Sequence, residues 1–407
     1  MPWQNYHTVW FVMAFGWIAL YIVRMGIAPV LGMIMEEFHI SHAVAGSLFS
    51  TILVSYTIMQ VPSGYLGDRF GRRKILILST FLWFFLSLAT VLVQTFAMLV
   101  ALRFVTGLAH GTYFGNEKPT IVAFTPAEKI GQGQAVSFIG LALGFFLAVF
   151  FSGMIADYTH NWRGVFVIFS IPSIITAFLI FKYIKDPERP IRDNRPVDVS
   201  HAYGKAVTNR DLWFMYLMGF TVLYAYWLLA TWMPSIYQEI GITGITASSL
   251  LSAILGLVGI PGLFIMGTLS DIFAKKGYGR KWFVAINAFI WGLLMIGIAY
   301  MLEIKASGII ISALYFVSGF FAFGVWPPYY ALLSELSPKE TMGTTFGLAN
   351  FIGFLSAWVA PYLTGWMKDT TGSFSGGLYV AGFLLIAGVL LIVAVRSPVP
   401  GGLERGV

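Results

Sequence analysis

The stretch GYLGDRF (residues 64–70) returns as GTLSDIF at 267–273, 203 residues further on. Gly64, Leu66, Asp68 and Phe70 recur as Gly267, Leu269, Asp271 and Phe273. Three more pairs stand 212 residues apart: RFVTG (103–107) with YFVSG (315–319), TPAEKIG (125–131) with SPKETMG (337–343), and Asp157 with Asp369. The chain is a duplication. What was duplicated follows from composition. Of 407 residues, 58% are hydrophobic and only 11% charged, against about 25% charged in a soluble domain. Apolar runs near the roughly 20 residues needed to cross a bilayer recur along the whole chain. They lie at about 9–35, 41–63, 75–95, 97–122, 130–155, 163–184, 212–236, 245–270, 282–302, 307–334, 343–367 and 376–395. These are numbered spans 1 to 12. The polar, proline-rich stretch 185–211 divides six from six. The expected fold is therefore an all-α integral membrane protein. Twelve transmembrane helices form two pseudo-symmetric six-helix bundles, 1–184 and 212–407, with 185–211 as a cytoplasmic linker. Parallel repeats of this kind place a transport site midway between them.

The net charge of +7 sits mainly in alternate loops. Arg69, Arg72, Arg73, Lys74, Lys129, most linker cations, Lys275, Lys276, Arg280, Lys281 and Lys339 share one side; the other holds Arg163, Lys305 and Lys368. The positive-inside rule makes the first side cytoplasmic, with both termini. The expected location is the cell membrane, the inner membrane of a bacterium, as a multi-pass monomer in lipid. Cations spread over short loops do not make a nucleic-acid surface. The chain has no cysteine, which excludes disulfides and thiol chemistry. MPWQNYHTVW lacks a basic leader pattern, so no removable signal peptide is expected. No metal cluster, nucleophile–base pair or cofactor loop is legible, so neither an enzyme nor a cofactor is expected.

Ionisable residues within spans are costly to keep and are functional candidates. YIVRMGIAPV (21–30) puts Arg24 deep in span 1, some 11 residues from Met35, or about 16 Å at 1.5 Å per residue. Trp17 and Tyr21 share its face. A guanidinium lining a wet cavity can fork onto a carboxylate; the competing reading is a structural pair with Glu117 or carbonyls. Span 4 carries Arg103, His110 and Glu117 at seven-residue spacing, which stacks them on one face, with Lys118 beside Glu117. Tyr21 of span 1 and Tyr113 of span 4 are candidate substrate contacts alongside Arg24. Histidine titrates near neutrality, and a desolvated glutamate can too, so His110 or Glu117 can carry a proton, with Arg103 in the same ladder. His110 reads equally well as a packing residue, and Glu117–Lys118 as an interfacial pair. In the second half no span interior holds a charge. Its candidates are Tyr329 and Tyr330 after the double proline of span 10, and Asn350 in span 11.

GYLGDRFGRR (64–73) matches the signature loop of the major facilitator superfamily, which the chain resembles over its full length. That resemblance implies that spans 1, 4, 7 and 10 line the cavity. It also implies that Asp68, Arg69 and Arg73, with Asp271 in the second half, form conformational gate clusters that do not touch substrate. Y-x-x-R in span 1 (Tyr21, Arg24) with R-x-x-x-G in span 4 (Arg103, Gly107) resembles the anion:cation symporters, carriers of sugar acids and other organic anions. Arg24 then binds the substrate carboxylate. Two departures stand out. The acid those symporters place before the span 1 arginine is Val23, and the glutamate seven residues after the span 4 arginine is His110. No Arg or Lys marks spans 7, 8 or 11, which argues against oxalate-type and organophosphate exchange. One charge, helped by Lys118, suits a monocarboxylate or sugar-acid-like anion, moved with protons. The alternatives are an exporter of drugs or other hydrophobic compounds, and a transporter-like sensor. SFIGLALGFFLA (137–148) lacks the proline of the exporter motif, and no signalling domain is expected.

Overall fold

A computed structural model describes residues 3–126, 129–185, 204, 206–337 and 342–396. Most of the linker 185–211 and of the SPKET turn therefore lies outside the described residues. All regular structure among them is helical. Eleven helices are long and apolar enough to cross a membrane. The twelfth, Phe96–Phe124, is the one that carries Arg103, His110, Glu117 and Lys118.

In order, span 1 is Asn5–Met25 followed by Leu31–Phe38, span 2 His42–Phe70, span 3 Arg72–Ala89 and span 4 Phe96–Phe124. Span 5 is Ile130–Thr159, span 6 Trp162–Tyr183, span 7 Arg210–Glu239 and span 8 Ile245–Lys275. Span 9 is Arg280–Glu303, span 10 Gly308–Gly324 with Trp326–Leu336, span 11 Met342–Thr371 and span 12 Ser375–Ala394. Starts follow capping chemistry. Ser41 Oγ accepts from the Val44 N–H at 3.4 Å and Thr95 Oγ1 from the Met98 N–H at 3.3 Å, satisfying donors the helix cannot reach.

Two spans are broken. Span 10 breaks at Val325, where Pro327 and Pro328 bring no N–H. Span 1 breaks after Met25, with a 3₁₀ turn at Ala28–Val30. The apolar pattern predicts one unbroken span over 9–35. Pro29 cannot donate to the Met25 carbonyl, and that is where the helix stops.

Lipid offers no hydrophobic drive for one helix to meet another, so small residues set the close contacts. Span 4 has glycine at every fourth position, Gly107, Gly111 and Gly115. A Cβ at Gly111 would stand 2.5 Å from the Tyr56 carbonyl oxygen, and one at Gly115 would stand 3.3 Å from the Gly64 nitrogen. Spans 2 and 4 thus lie backbone to backbone. Gly144 does the same for span 5 on span 1, 2.9 Å from Ile18 Cα. Large apolar side chains left exposed, such as Leu78, Phe85, Phe178, Ile286, Phe383 and Leu390, suit a lipid-facing surface.

By packing, the chain forms two compact units, Met1–Arg192 with Ala230–Leu257 and Asp193–Leu229 with Val258–Val407. The first unit takes the end of span 7 and the start of span 8 together with spans 1 to 6. The second holds the rest of spans 7 and 8 and spans 9 to 12.

Candidate substrate site

The break in span 1 explains how Arg24 is kept. Arg24 lies in the last turn of Asn5–Met25, where the helix dipole presents partial negative charge. The orphan carbonyls of that end are met in kind. Arg103 Nη1 donates to the Val23 oxygen at 3.2 Å, and Ser152 Oγ to the Gly26 oxygen at 2.5 Å. The Arg24 guanidinium stands 4.3 Å from the Tyr56 ring centroid and 5.5 Å from that of Tyr21, a cation–π arrangement. Tyr56 is delivered there by the close approach of span 2 to Gly111.

Arg24 is 1% exposed and Arg103 4%. Neither forms an ion pair among the described residues. Arg103 instead lies 4.5 Å from the Phe166 ring centroid. The Nε and Nη2 of Arg24 are buried with no hydrogen-bond partner among the described residues, as is Nε1 of Trp17, seven residues earlier on the same face. Nε and Nη2 form one edge of the guanidinium fork, the edge that takes a carboxylate with two parallel bonds. Leaving such donors unmet in a buried place is costly.

The three ladder residues of span 4 are all buried, but each serves a different neighbour. Arg103 meets span 1. His110 is fully buried, both ring nitrogens are without a hydrogen-bond partner among the described residues, and its ring stands edge-on to Trp83 of span 3 at 5.0 Å. Glu117 is fully buried; its Oε1 accepts from Ser137 Oγ of span 5 at 2.5 Å, and its Oε2 lies 3.3 Å from Lys118 Nζ. Lys118 also donates to Ser137 Oγ at 3.2 Å and stands 5.7 Å from the Trp17 ring. Glu117 is thus paired with Lys118, not with Arg24. Tyr113 spends its hydroxyl on the Met13 carbonyl at 2.8 Å, with its ring against Trp17 and Trp83.

In the second unit, Tyr329 donates to the Met215 carbonyl at 2.9 Å, and its hydroxyl seats over Gly219. It wedges span 10 against span 7. Tyr330 donates to Asn350 Oδ1 at 3.3 Å and stacks on Phe346 with ring centroids 5.8 Å apart. The side chain of Asp68 lies outside the described residues. Arg69 donates to the Tyr65 hydroxyl at 3.0 Å, and Arg73 Nη2 to the Phe181 carbonyl at 2.6 Å. Asp271 pairs with Arg280 at 2.5 Å, and the same arginine pairs with Glu335 of span 10 at 2.5 Å.

Sequence reasoning missed Tyr56, Ser137, Arg280 with Glu335, and Asn287. Asn287 is 2% exposed with both amide atoms unpartnered beside Gly324. The glycine spacing of span 4 announced a close helix contact, but not which span would fill it.

The probable galactarate/D-glucarate transporter of Bacillus subtilis (strain 168) is 27% identical over 401 residues, 90% of this chain and 86% of its own. The D-galactonate transporter of Escherichia coli O6:H1 is 27% identical, covering 92% of each chain. The hexuronate transporter of B. subtilis is 25% identical, covering 94% of this chain and 92% of its own. The crystal structure of a D-xylose-proton symporter superposes with a TM-score of 0.80 at 18% identity, over 98% of this chain and 99% of that one. That likeness shows the fold. The Major Facilitator Superfamily profile matches residues 13–361. A twelve-span membrane protein built from two copies of six helices, matched by that profile over most of its length, is a transporter, not an enzyme, and the chain belongs to the Major Facilitator Superfamily.

Proposed function

We propose that this protein is a secondary transporter of a small, sugar-acid-like organic anion, moved together with protons by alternating access. One observation carries the reading: the buried Nε–Nη2 edge of Arg24 has no hydrogen-bond partner among the described residues. A carboxylate would satisfy both donors at once. Trp17 Nε1, on the same face, would bind a hydroxyl or carboxylate oxygen of the same ligand. Three relatives named for galactarate or D-glucarate, D-galactonate and hexuronate support a polyhydroxylated acid as the class. Tyr330 and Asn350 of spans 10 and 11 are the candidate substrate contacts of the second half in this reading. Asp68, Arg69, Arg73 and Asp271 act away from the substrate, on conformation.

The proton path uses Glu117 or His110. Glu117 is held by Lys118 and Ser137, and Lys118 stands against Trp17. A substrate anion arriving at Trp17 competes for Lys118. Glu117, losing its cation, then takes a proton, which ties binding to protonation. The cation-rich loops and both termini face the cytoplasm in this reading, and the chain works as a monomer. Purified protein in proteoliposomes tests it. Labelled sugar acids should accumulate against their gradient when the interior is made alkaline. Accumulation that ignores the pH gradient but follows sodium or membrane potential would refute the proton assignment. No uptake of any sugar acid would refute the substrate class.

A further inference from the structure

Asp157 lies in the last turn of span 5, at the end away from the cation-rich loops. Its Oδ2 accepts from the Thr246 N–H at 2.9 Å and from Thr246 Oγ1 at 2.5 Å. Thr246 is the second residue of span 8, so its N–H is one of the four a helix cannot satisfy internally. The carboxylate also meets the positive end of the span 8 dipole. Along the same seam the two helices touch with little between them. A Cβ at Gly153 would stand 2.5 Å from Ser249 Cβ and 2.9 Å from the Ile245 oxygen, and a Cβ at Gly256 would stand 2.6 Å from the Ala142 oxygen. Ser249 is fully buried there. Spans 5 and 8 come from different copies of the duplication. The bond between them therefore ties one half of the repeat to the other.

We propose that Asp157 is a gate residue of the transport cycle: its bond to the span 8 N-terminus closes the cation-poor side and breaks when that side opens. Alternating access requires the halves to part at each end in turn. A carboxylate on a helix N-terminus suits that duty. It holds while assembled, and on parting both groups meet water, so no buried charge is stranded. The duplication repeats the position: Asp369 lies two residues before the end of span 11, as Asp157 lies two before the end of span 5. This inference does not depend on the substrate.

The native chain has no cysteine, so one introduced thiol reports alone. Ser249→Cys places it in the seam. The probe is a maleimide applied to full-length protein in proteoliposomes without substrate. Ser249→Cys alone should label slowly. Adding Asp157→Ala should speed labelling about tenfold, the scale of losing one charged hydrogen bond. Thr246→Pro removes both donors at a first-turn position that tolerates proline. It should speed labelling equally, and combining it with Asp157→Ala should add nothing, as expected of two halves of one contact. Ser173→Cys, fully buried in span 6, is the control, and its labelling should not change. Unchanged labelling at 249 in both variants would overturn the proposal. So would equal acceleration at 173, which marks general unfolding, or full additivity of the two substitutions.

Discussion

Arg103 donates from Nη1 to the carbonyl oxygen of Val23 at 3.2 Å, one residue before Arg24. A side chain from span 4 thus caps the end of the broken helix that presents Arg24. The symporters this chain resembles place an acid at the Val23 position. Here a backbone carbonyl takes its place, and Arg103 gains a partner that cannot titrate.

The first prediction is that Arg103 holds Arg24 in place through this bond. Arg103→Gln removes the charge but can still donate to Val23; Arg103→Leu removes both. Substrate Kd should rise roughly tenfold in the leucine variant, the scale of a lost charged hydrogen bond, and less in the glutamine variant. Isothermal titration of detergent-solubilised protein reads the difference. Equal losses in both would assign the effect to charge alone.

Gly111 should not tolerate a larger side chain. A Cβ would stand 2.5 Å from the Tyr56 carbonyl oxygen, so spans 2 and 4 would have to part. Gly111→Val should destabilise the fold by about 1–3 kcal/mol, as other overpacked contacts do, and should weaken anion binding by moving Tyr56 from beneath Arg24. Thermal unfolding and titration on one preparation check both. A stable variant with native affinity would contradict the packing argument.

The Glu117–Lys118 pair makes a third test. Glu117 is fully buried, so without Lys118 it must either stay a buried charge or take a proton. Lys118→Met should cost up to about 3–5 kcal/mol, less where a proton replaces the cation, while Glu117→Gln with Lys118→Met should recover most of the loss. In transport, Glu117→Gln should abolish uphill accumulation and leave counterflow exchange intact, because exchange needs no net proton movement. His110→Ala should shift the pH optimum instead. Equal loss of exchange and accumulation in Glu117→Gln would remove Glu117 from the coupling path.

Much of the fold was legible because lipid imposes it. Every backbone polar group must be met within its own helix, so long apolar runs read directly as spans, and the repeat of Asp68 in Asp271 and Asp157 in Asp369 gave the duplication. Arg24 was legible as a charge where charge is costly. Its setting was not. The break after Met25 needed the geometry of Pro29, and the ring beneath the guanidinium belongs to Tyr56, whose position depends on which span Gly111 meets. Tyr113 and Tyr329 are candidate substrate contacts in the sequence; in the structure their hydroxyls donate to the Met13 and Met215 carbonyls. Sequence locates an aromatic on a helix. It does not say whether the hydroxyl is already spoken for.

The central claim is that the unpartnered edge of Arg24 binds the carboxylate of the substrate. Titration of native protein and Arg24→Lys with a panel of sugar acids and their neutral parent sugars tests it most directly. Lysine keeps the charge and loses the fork. The native protein should bind an acid and ignore its neutral parent, and Arg24→Lys should lose roughly 1.5–3 kcal/mol of that affinity, about ten- to a hundredfold in Kd. Equal affinity in the two proteins, or equal binding of the acid and its neutral parent, would contradict the account.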